Sequence, residues 1–287
     1  RFLIFGMQKP QFYTSKESLP NGAETIDAFE RSLKELFFVR NPAFKKGMAG
    51  TDAALAEFLA GEARTVSDIF VYYPWLHRAV RIPEQKAYFE LRTARNKNII
   101  YRDEQEKYKN IAVGIAGMSV GSAIALTLVG TGGANRMRIA DFDEIEATNL
   151  NRLRAFTHSI GINKAEFFAR AIYELNPWAE LEVYDQGLTK ENLEKFMEGL
   201  DVFIDAMDSI ELKVRARFIA KEKKIPVLMA TDNGDNVIFD VERFDTDEGL
   251  PIFNGRVEIT EAELANMKTF QDWLSLAAKI VGAEAHT

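Results

Sequence analysis

Ile111-Ala112-Val113-Gly114-Ile115-Ala116 runs without a break into Gly117-Met118-Ser119-Val120-Gly121. A short apolar run at 111–116 predicts a buried strand, the glycines a tight turn, and the apolar spacing over 119–131 a helix. Downstream the same alternation repeats. Strands are expected at 136–141, 181–185, 201–206 and 225–230, and helices at 162–176, 189–199 and 209–223. Short apolar strands alternating with amphipathic helices make parallel βαβ units covered on both faces, so the fold class is α/β with a doubly wound, Rossmann-like, mostly parallel sheet. In such sheets ligands bind at the carboxyl ends of the strands, where the glycine turn lies. Asn236 to Phe244 reads as one more strand, antiparallel at the edge.

This regular region divides the chain into three parts, at 1–90, 91–245 and 246–287. In the first, Ile26, Phe29, Leu33, Leu36 and Phe37 recur at helical spacing, which predicts a helix over 23–38. A second helix starts with Thr51 as its cap, 69–73 reads as a strand closed by Pro74, and Pro83 opens a third helix reaching about Asn98. Phe70, Tyr72, Tyr73 and Trp75 read as packing groups, because aromatic side chains dominate small cores. Together these make a smaller α+β accessory region. In the third part 260–281 reads as helical, with Thr260 and Glu263 at capping-box spacing.

An apolar fraction of 47% supports a sizeable core across 287 residues. The net charge of −7 argues against a nucleic-acid binder that works by phosphate neutralisation. No apolar run approaches the ~18 residues of a membrane span. The opening Arg1-Phe2-Leu3-Ile4-Phe5 is too short for a secretory signal, so the cytoplasm is expected by default. Residue 1 is Arg1 and not methionine, and both ends are treated as open. The absence of cysteine removes disulfides, thiolate zinc sites and any cysteine nucleophile.

Four features carry chemistry. Gly114, Gly117 and Gly121 lie between a strand and a helix, where glycine lets backbone amides approach a phosphate at a helix amino terminus. Asp141 ends the next strand, where a carboxylate accepts hydrogen bonds from ribose hydroxyls, whether of NAD or of ATP. The loop from Asp141 continues through Asp143 to Asn149-Leu150-Asn151-Arg152, and Lys164 follows. A planar guanidinium and a mobile ammonium both suit a triphosphate, which needs more cations than a dinucleotide does. Last, Asp205-Ala206-Met207-Asp208-Ser209 ends a later strand on the same sheet edge, where a carboxylate can hold Mg2+ beside phosphates or cap a helix.

Asp141-x-Asp143, Asn149-Leu150-Asn151-Arg152, Lys164 and Asp205-x-x-Asp208 occur in that order, and residues 95–245 thereby resemble the ThiF/MoeB family of adenylating enzymes, relatives of the ubiquitin-activating enzymes. The resemblance implies ATP and Mg2+ as cofactors. It assigns Asp141 to the ribose, Asn149, Arg152 and Lys164 to the phosphates, and Asp208 to the metal. It also implies a homodimer in which an arginine before the domain crosses to the partner, with Arg95 the counterpart here and Arg92 second. Three departures stand out. Leu153 replaces a glutamine, the glycine loop is one residue longer, and the zinc cysteines and catalytic cysteine are missing.

The expectation is an ATP-dependent adenylyltransferase acting on a carboxylate. By the resemblance this is the carboxyl terminus of a small ubiquitin-like or sulfur-carrier protein, or of a peptide. Asp205-Ala206-Met207-Asp208-Ser209 is also similar to the same stretch in tRNA threonylcarbamoyladenosine dehydratases, although no basic aromatic surface for tRNA is legible in this acidic chain. A nicotinamide-dependent dehydrogenase would explain the glycines and Asp141 but leave Arg152, Lys164 and Asp208 idle. A non-catalytic relative binding a partner through residues 1–90 is the remaining alternative. Among the three histidines, His77, His158 and His286, only His158 lies in the loop before Lys164.

Overall fold

A computed structural model of the chain describes residues 8–233 and 236–281; Arg1 to Phe5 and His286, considered above, lie outside them. The strands are β1 (Gln11–Tyr13), β2 (Glu24–Asp27), β3 (Asp68–Tyr73), β4 (Arg78–Pro83), β5 (Ala112–Ala116), β6 (Arg136–Ala140), β7 (Glu180–Tyr184), β8 (Val202–Asp205), β9 (Val227–Asn233) and β10 (Asn236–Glu242). The α-helices are α1 (Phe29–Arg40), α2 (Thr51–Ala60), α3 (Gln85–Arg92), α4 (Arg102–Asn110), α5 (Val120–Gly130), α6 (Lys164–Leu175), α7 (Lys190–Met197), α8 (Ile210–Lys223), α9 (Glu261–Asn266) and α10 (Phe270–Ile280).

Six strands form the expected sheet in the order β10-β9-β8-β5-β6-β7. All neighbours pair in parallel except the edge strand β10, which is antiparallel to β9. Alternation along β5 serves two layers. Val113 and Ile115 join a core with α5 and α6, while Ala112 and Ala116 join one with α7 and α8. Gly114 also faces the second layer. A Cβ there would overlap the Leu200 side chain and lie 3.0 Å from the Phe196 ring, so this glycine makes room for packing. The order reverses between β5 and β8, and their carboxyl ends therefore flank an open crevice.

The accessory region forms a four-stranded sheet in the order β1-β3-β4-β2. Phe70, Tyr72 and Tyr73 are buried in it, as packing groups should be. This sheet seats on the far end of α6. Trp75 Nε1 donates to Glu174 at 2.6 Å, and the Phe12 and Trp178 rings stack at 5.7 Å.

Four expectations here need correction. Residues 24–27 are a strand paired with β4, and the helix begins only at Phe29, whose N–H bonds Asp27 Oδ1 at 3.0 Å; a half-exposed Ile26 mimicked helical spacing. Pro83 ends β4 instead of opening a helix; α3 is capped by the Glu84 carboxylate on Lys86 N–H at 2.8 Å. Thr51 is the first helical residue of α2 and Gly50 the cap. Residues 260–281 hold two helices, because Thr269 caps a new one at Asp272. Both bury apolar residues against α8, with Leu264, Leu276 and Ile280 in the same core as Val214.

The two glycines of contrasting surroundings give a test. Gly114→Val should destabilise the fold by about 1–3 kcal/mol through overpacking. Gly130→Ala, where nothing lies within 4 Å of the added Cβ, should be neutral or slightly stabilising. Urea unfolding measures both; equal effects would mean that the space around Gly114 is not limiting.

Candidate functional site

At the crevice between β5 and β8 the chain ends are held by backbone bonds. Ala206 N–H donates to Ala116 O and Gly117 N–H to Ala140 O, both at 2.8 Å. Gly117 sits at φ +90°, and any Cβ on it would collide with the Ala206 carbonyl. Only glycine satisfies both conditions. Gly121 plays a different part, since a Cβ there would lie 2.6 Å from Ile115 Cγ2; it lets α5 lie close on the sheet.

Asp141 is buried and its two carboxylate oxygens organise the turn. Oδ2 accepts from Met118 N–H at 2.7 Å and Oδ1 from Asp143 N–H at 2.8 Å. Burial pushes its carboxyl above the usual range, opposed by these N–H donors and by nearby Lys164. The 141–164 loop then folds back on itself. Lys164 N–H donates to Asp143 O at 2.8 Å, and Lys164 Nζ pairs with Asp143 Oδ2 at 2.8 Å. Only 6% of the Lys164 side chain is exposed, so its charge is already committed to a carboxylate.

Asn163, which no motif had flagged, secures this arrangement. Its Oδ1 caps α6 through Glu166 N–H at 3.0 Å. Its Nδ2 donates to the carbonyls of Asp141, Asp143 and Asp185 at 3.1, 3.3 and 3.0 Å. The sequence signal for it was only that of a helix cap before a periodic run.

On the opposite wall, Asp205 ends β8 fully buried and Asp208 stands exposed in the turn that follows. Ser209 caps α8, accepting from Leu212 N–H at 3.4 Å. Asp208 has no hydrogen-bond partner among the described residues. Burial acts against the Asp205 carboxylate, but Arg217 and Lys213 hold it below its usual range. Neither of those two cations stood out in the sequence.

Gly117, Ser119, Asp141, Asp143, Asp208 and Ser209 thus border one cavity of about 160 Å3, with Phe142, Leu188, Met207 and Leu212 as apolar walls. The other sequence-derived candidates lie outside it. Asn149 is buried, its Oδ1 accepting from Glu146 N–H at 3.0 Å. Arg152 is turned to Thr148 O and Asn151 Oδ1 at 3.1 and 3.0 Å. Arg95 is exposed in the 3-10 turn Ala94–Asn96, and Asn96 Nδ2 bonds Thr131 O at 2.8 Å, at the carboxyl end of α5. Eleven helical residues, about 16 Å, separate that end from the glycine turn. Arg92 bonds the Val129 carbonyl at the same end. The loop also exposes Arg152, Arg154 and Phe156, with His158 stacked on Phe156 at 5.6 Å.

A doubly wound sheet with a glycine turn at its switch point, faced by acidic residues from two other strand ends, places this chain in the class of open α/β proteins whose ligands bind at that edge. Residues 92–239 match the ThiF family, and the chain belongs to it. The chain is 40% identical over 194 residues to an uncharacterised protein of Mycobacterium tuberculosis, covering 68% of this chain and 27% of that protein. It is 29% identical over 171 residues to the tRNA threonylcarbamoyladenosine dehydratase of Escherichia coli, covering 58% of this chain and 54% of that one. A crystal structure of the Escherichia coli dehydratase in complex with ATP is similar at TM-score 0.48 and 27% identity, over 51% of this chain and 61% of that one. The chain therefore spans about a quarter of one of these curated relatives and about half of the other. No helix among the described residues is long and apolar enough to cross a membrane.

Asn163→Ala should cost about 1–2 kcal/mol, from the lost cap and carbonyl bonds together. Thermal unfolding reads this as a lowered Tm, and an unchanged Tm would mean that water replaces every one of those bonds.

Proposed function

We propose that the crevice binds ATP with Mg2+ and that the chain catalyses adenylation of a carboxylate. The observation that carries the proposal is the convergence of Gly117, Asp141 and Asp208 on one cavity at the switch point of a ThiF-family sheet. The substrate carboxylate oxygen bonds the α-phosphorus, the bond to the bridging oxygen of the β-phosphate breaks, and pyrophosphate leaves with that electron pair. Such a transfer gains from positioning and from neutralising phosphate charge.

Asp141 would bind the ribose hydroxyls, while the Gly117 turn and the start of α5 receive phosphate. Lys164 would turn from Asp143 toward the phosphates as they enter. The described residues contain no cluster of three or more metal-binding side chains. Asp208, free of other partners there, fits a cation that is held by one carboxylate and completed by phosphate oxygens. Mg2+ arriving with ATP would supply charge neutralisation. Arg95, in a turn beside the carboxyl end of α5, lies too far from the glycine turn to serve its own cavity and would act only across a two-fold homodimer; Arg152 would have to leave its backbone partner.

The proposed substrate is the carboxyl terminus of a small carrier protein or peptide. A second candidate, a modified base of tRNA, is favoured by the names of the dehydratase relatives and by the exposed Arg152, Arg154, Phe156 and His158 strip. A gel shift with bulk tRNA across a salt series separates the two: binding that weakens steeply with salt supports the tRNA substrate.

Calorimetric titration tests the nucleotide. ATP–Mg2+ should bind at least about tenfold tighter than NAD, a difference of about 1.4 kcal/mol. Mg2+ without nucleotide should not bind, and Asp208→Asn should remove most of the magnesium dependence. Tighter binding of NAD would overturn the adenylation proposal. The chain lacks cysteine, so the acyl-adenylate should persist until an outside nucleophile takes it. Denaturing mass spectrometry after incubation with ATP, Mg2+ and a candidate carrier should find one adenylyl group on the carrier and none on this chain. A covalent carrier–enzyme adduct would refute that second half of the mechanism.

A further inference from the structure

Behind the Asp208 wall lies a buried ionic cluster that the adenylation chemistry does not use. The Asp205 carboxylate accepts from Met207 N–H and Lys213 Nζ, both at 3.1 Å, through Oδ1, and from Arg217 Nη1 through Oδ2. Arg217 is the largest fully buried side chain of the protein's described residues. Its Nε donates to Glu242 Oε2 at 2.9 Å, and its guanidinium lies 4.2 Å from the centre of the Phe253 ring. Glu242 Oε1 in turn accepts from Phe253 N–H at 2.6 Å. Two cations and two carboxylates balance, and Arg217 is the one residue bonded to both acids.

The two ends of this chain of bonds are telling. One is Met207 N–H, in the turn whose Ala206 carbonyl abuts Gly117 and whose next residue is Asp208. The other is the segment around Phe253 and Asn254, which occupy the left-handed region at φ 50° and 52°. Consecutive non-glycine residues persist there only where their surroundings over-determine them. Here Glu242 holds the Phe253 N–H, and Asp240 accepts from Asn254 Nδ2 at 3.2 Å. A strained loop far along the sequence is thereby fastened to the cavity wall.

We infer that Arg217, bridging Asp205 and Glu242, is a positioning residue that fixes the 206–209 turn, and that the 250–256 segment sets the nucleotide affinity of the cavity through it. Lysine could not replace it, since one ammonium cannot offer the separate Nε and Nη1 donors that face the two acids. Anything that displaces the Phe253 loop would release Glu242, tilt Arg217 and loosen the turn that carries Asp208.

The inference rests on the proposed nucleotide site, and the experiment has two arms so that the two can fail separately. Glu242→Gln and Arg217→Lys are compared with Leu276→Ala, which opens the same core but removes none of the cluster's hydrogen-bonding groups. Folding of each is checked by circular dichroism, and all readings are taken well below Tm. The first arm is amide exchange at Met207 in the nucleotide-free protein. It should accelerate in the two cluster variants and stay unchanged in Leu276→Ala. The second arm is the Kd for ATP–Mg2+, which should weaken about tenfold in the cluster variants and remain constant in the control. Unaltered Met207 exchange in both cluster variants, or Kd values that merely follow Tm across all three, would overturn the inference. Should the unaltered protein bind no ATP while Met207 exchange responds as expected, the positioning role stands and the nucleotide proposal falls.

Discussion

The close approach of the Gly117 backbone to the Ala206 carbonyl constrains the whole centre of this protein. It requires β5 and β8 to end side by side, which only the reversal of strand order allows, and it excludes any side chain at 117. Asp141 then finds the Met118 amide within reach, because the turn has nowhere else to go. On the other side Asp205 accepts from Met207 N–H, two residues along its own turn. Two buried carboxylates thus brace the two lips of one crevice, Asp141 through the Met118 N–H of the neighbouring turn and Asp205 through the Met207 N–H of its own.

The electrostatics of the crevice follow from this bracing. Its border presents Asp141, Asp143 and Asp208, whereas the nearby cations are engaged: Lys164 with Asp143, and Lys213 and Arg217 with Asp205. A polyphosphate would meet an acidic border unless cations are rearranged or brought in. A buried cation already paired needs little desolvation on exchanging one anionic partner for another, and Lys164 is in that position. The acidic border and a cation-accompanied ligand are therefore consistent with each other.

The central fold was legible because β5, β8 and β9 open as apolar runs, β6 and β7 alternate apolar with charged residues, and helices of clear period separate them; the boundaries differ from expectation by only a few residues. The accessory region was harder to read. β4 (RAVRIP) carries two arginines that pair with Glu24, Asp27 and Asp68 across the sheet, and such a half-exposed strand has no apolar signature. Helix α4 (RDEQEKYKN) is polar throughout and was not anticipated. Within the site, Asp141, Asp143 and Asp208 were legible because they follow strand ends closely. Asn163 and Arg217 were not, since their importance comes from partners about twenty residues away that only the folded chain brings close.

Helix α6 has a mechanical consequence. Its first turn carries Lys164 and its cap Asn163 at the crevice, and its last turn carries Tyr173 and Glu174 against Trp75 of the accessory sheet. Twelve helical residues make a rod of about 18 Å. The rod has no proline or glycine at which to bend. Pushing on the accessory sheet along this axis loads the crevice end directly, as a strut transmits a load between two plates. Parting the accessory sheet from this end of α6 would therefore cost the Trp75–Glu174 bond together with the Phe12–Trp178 stack.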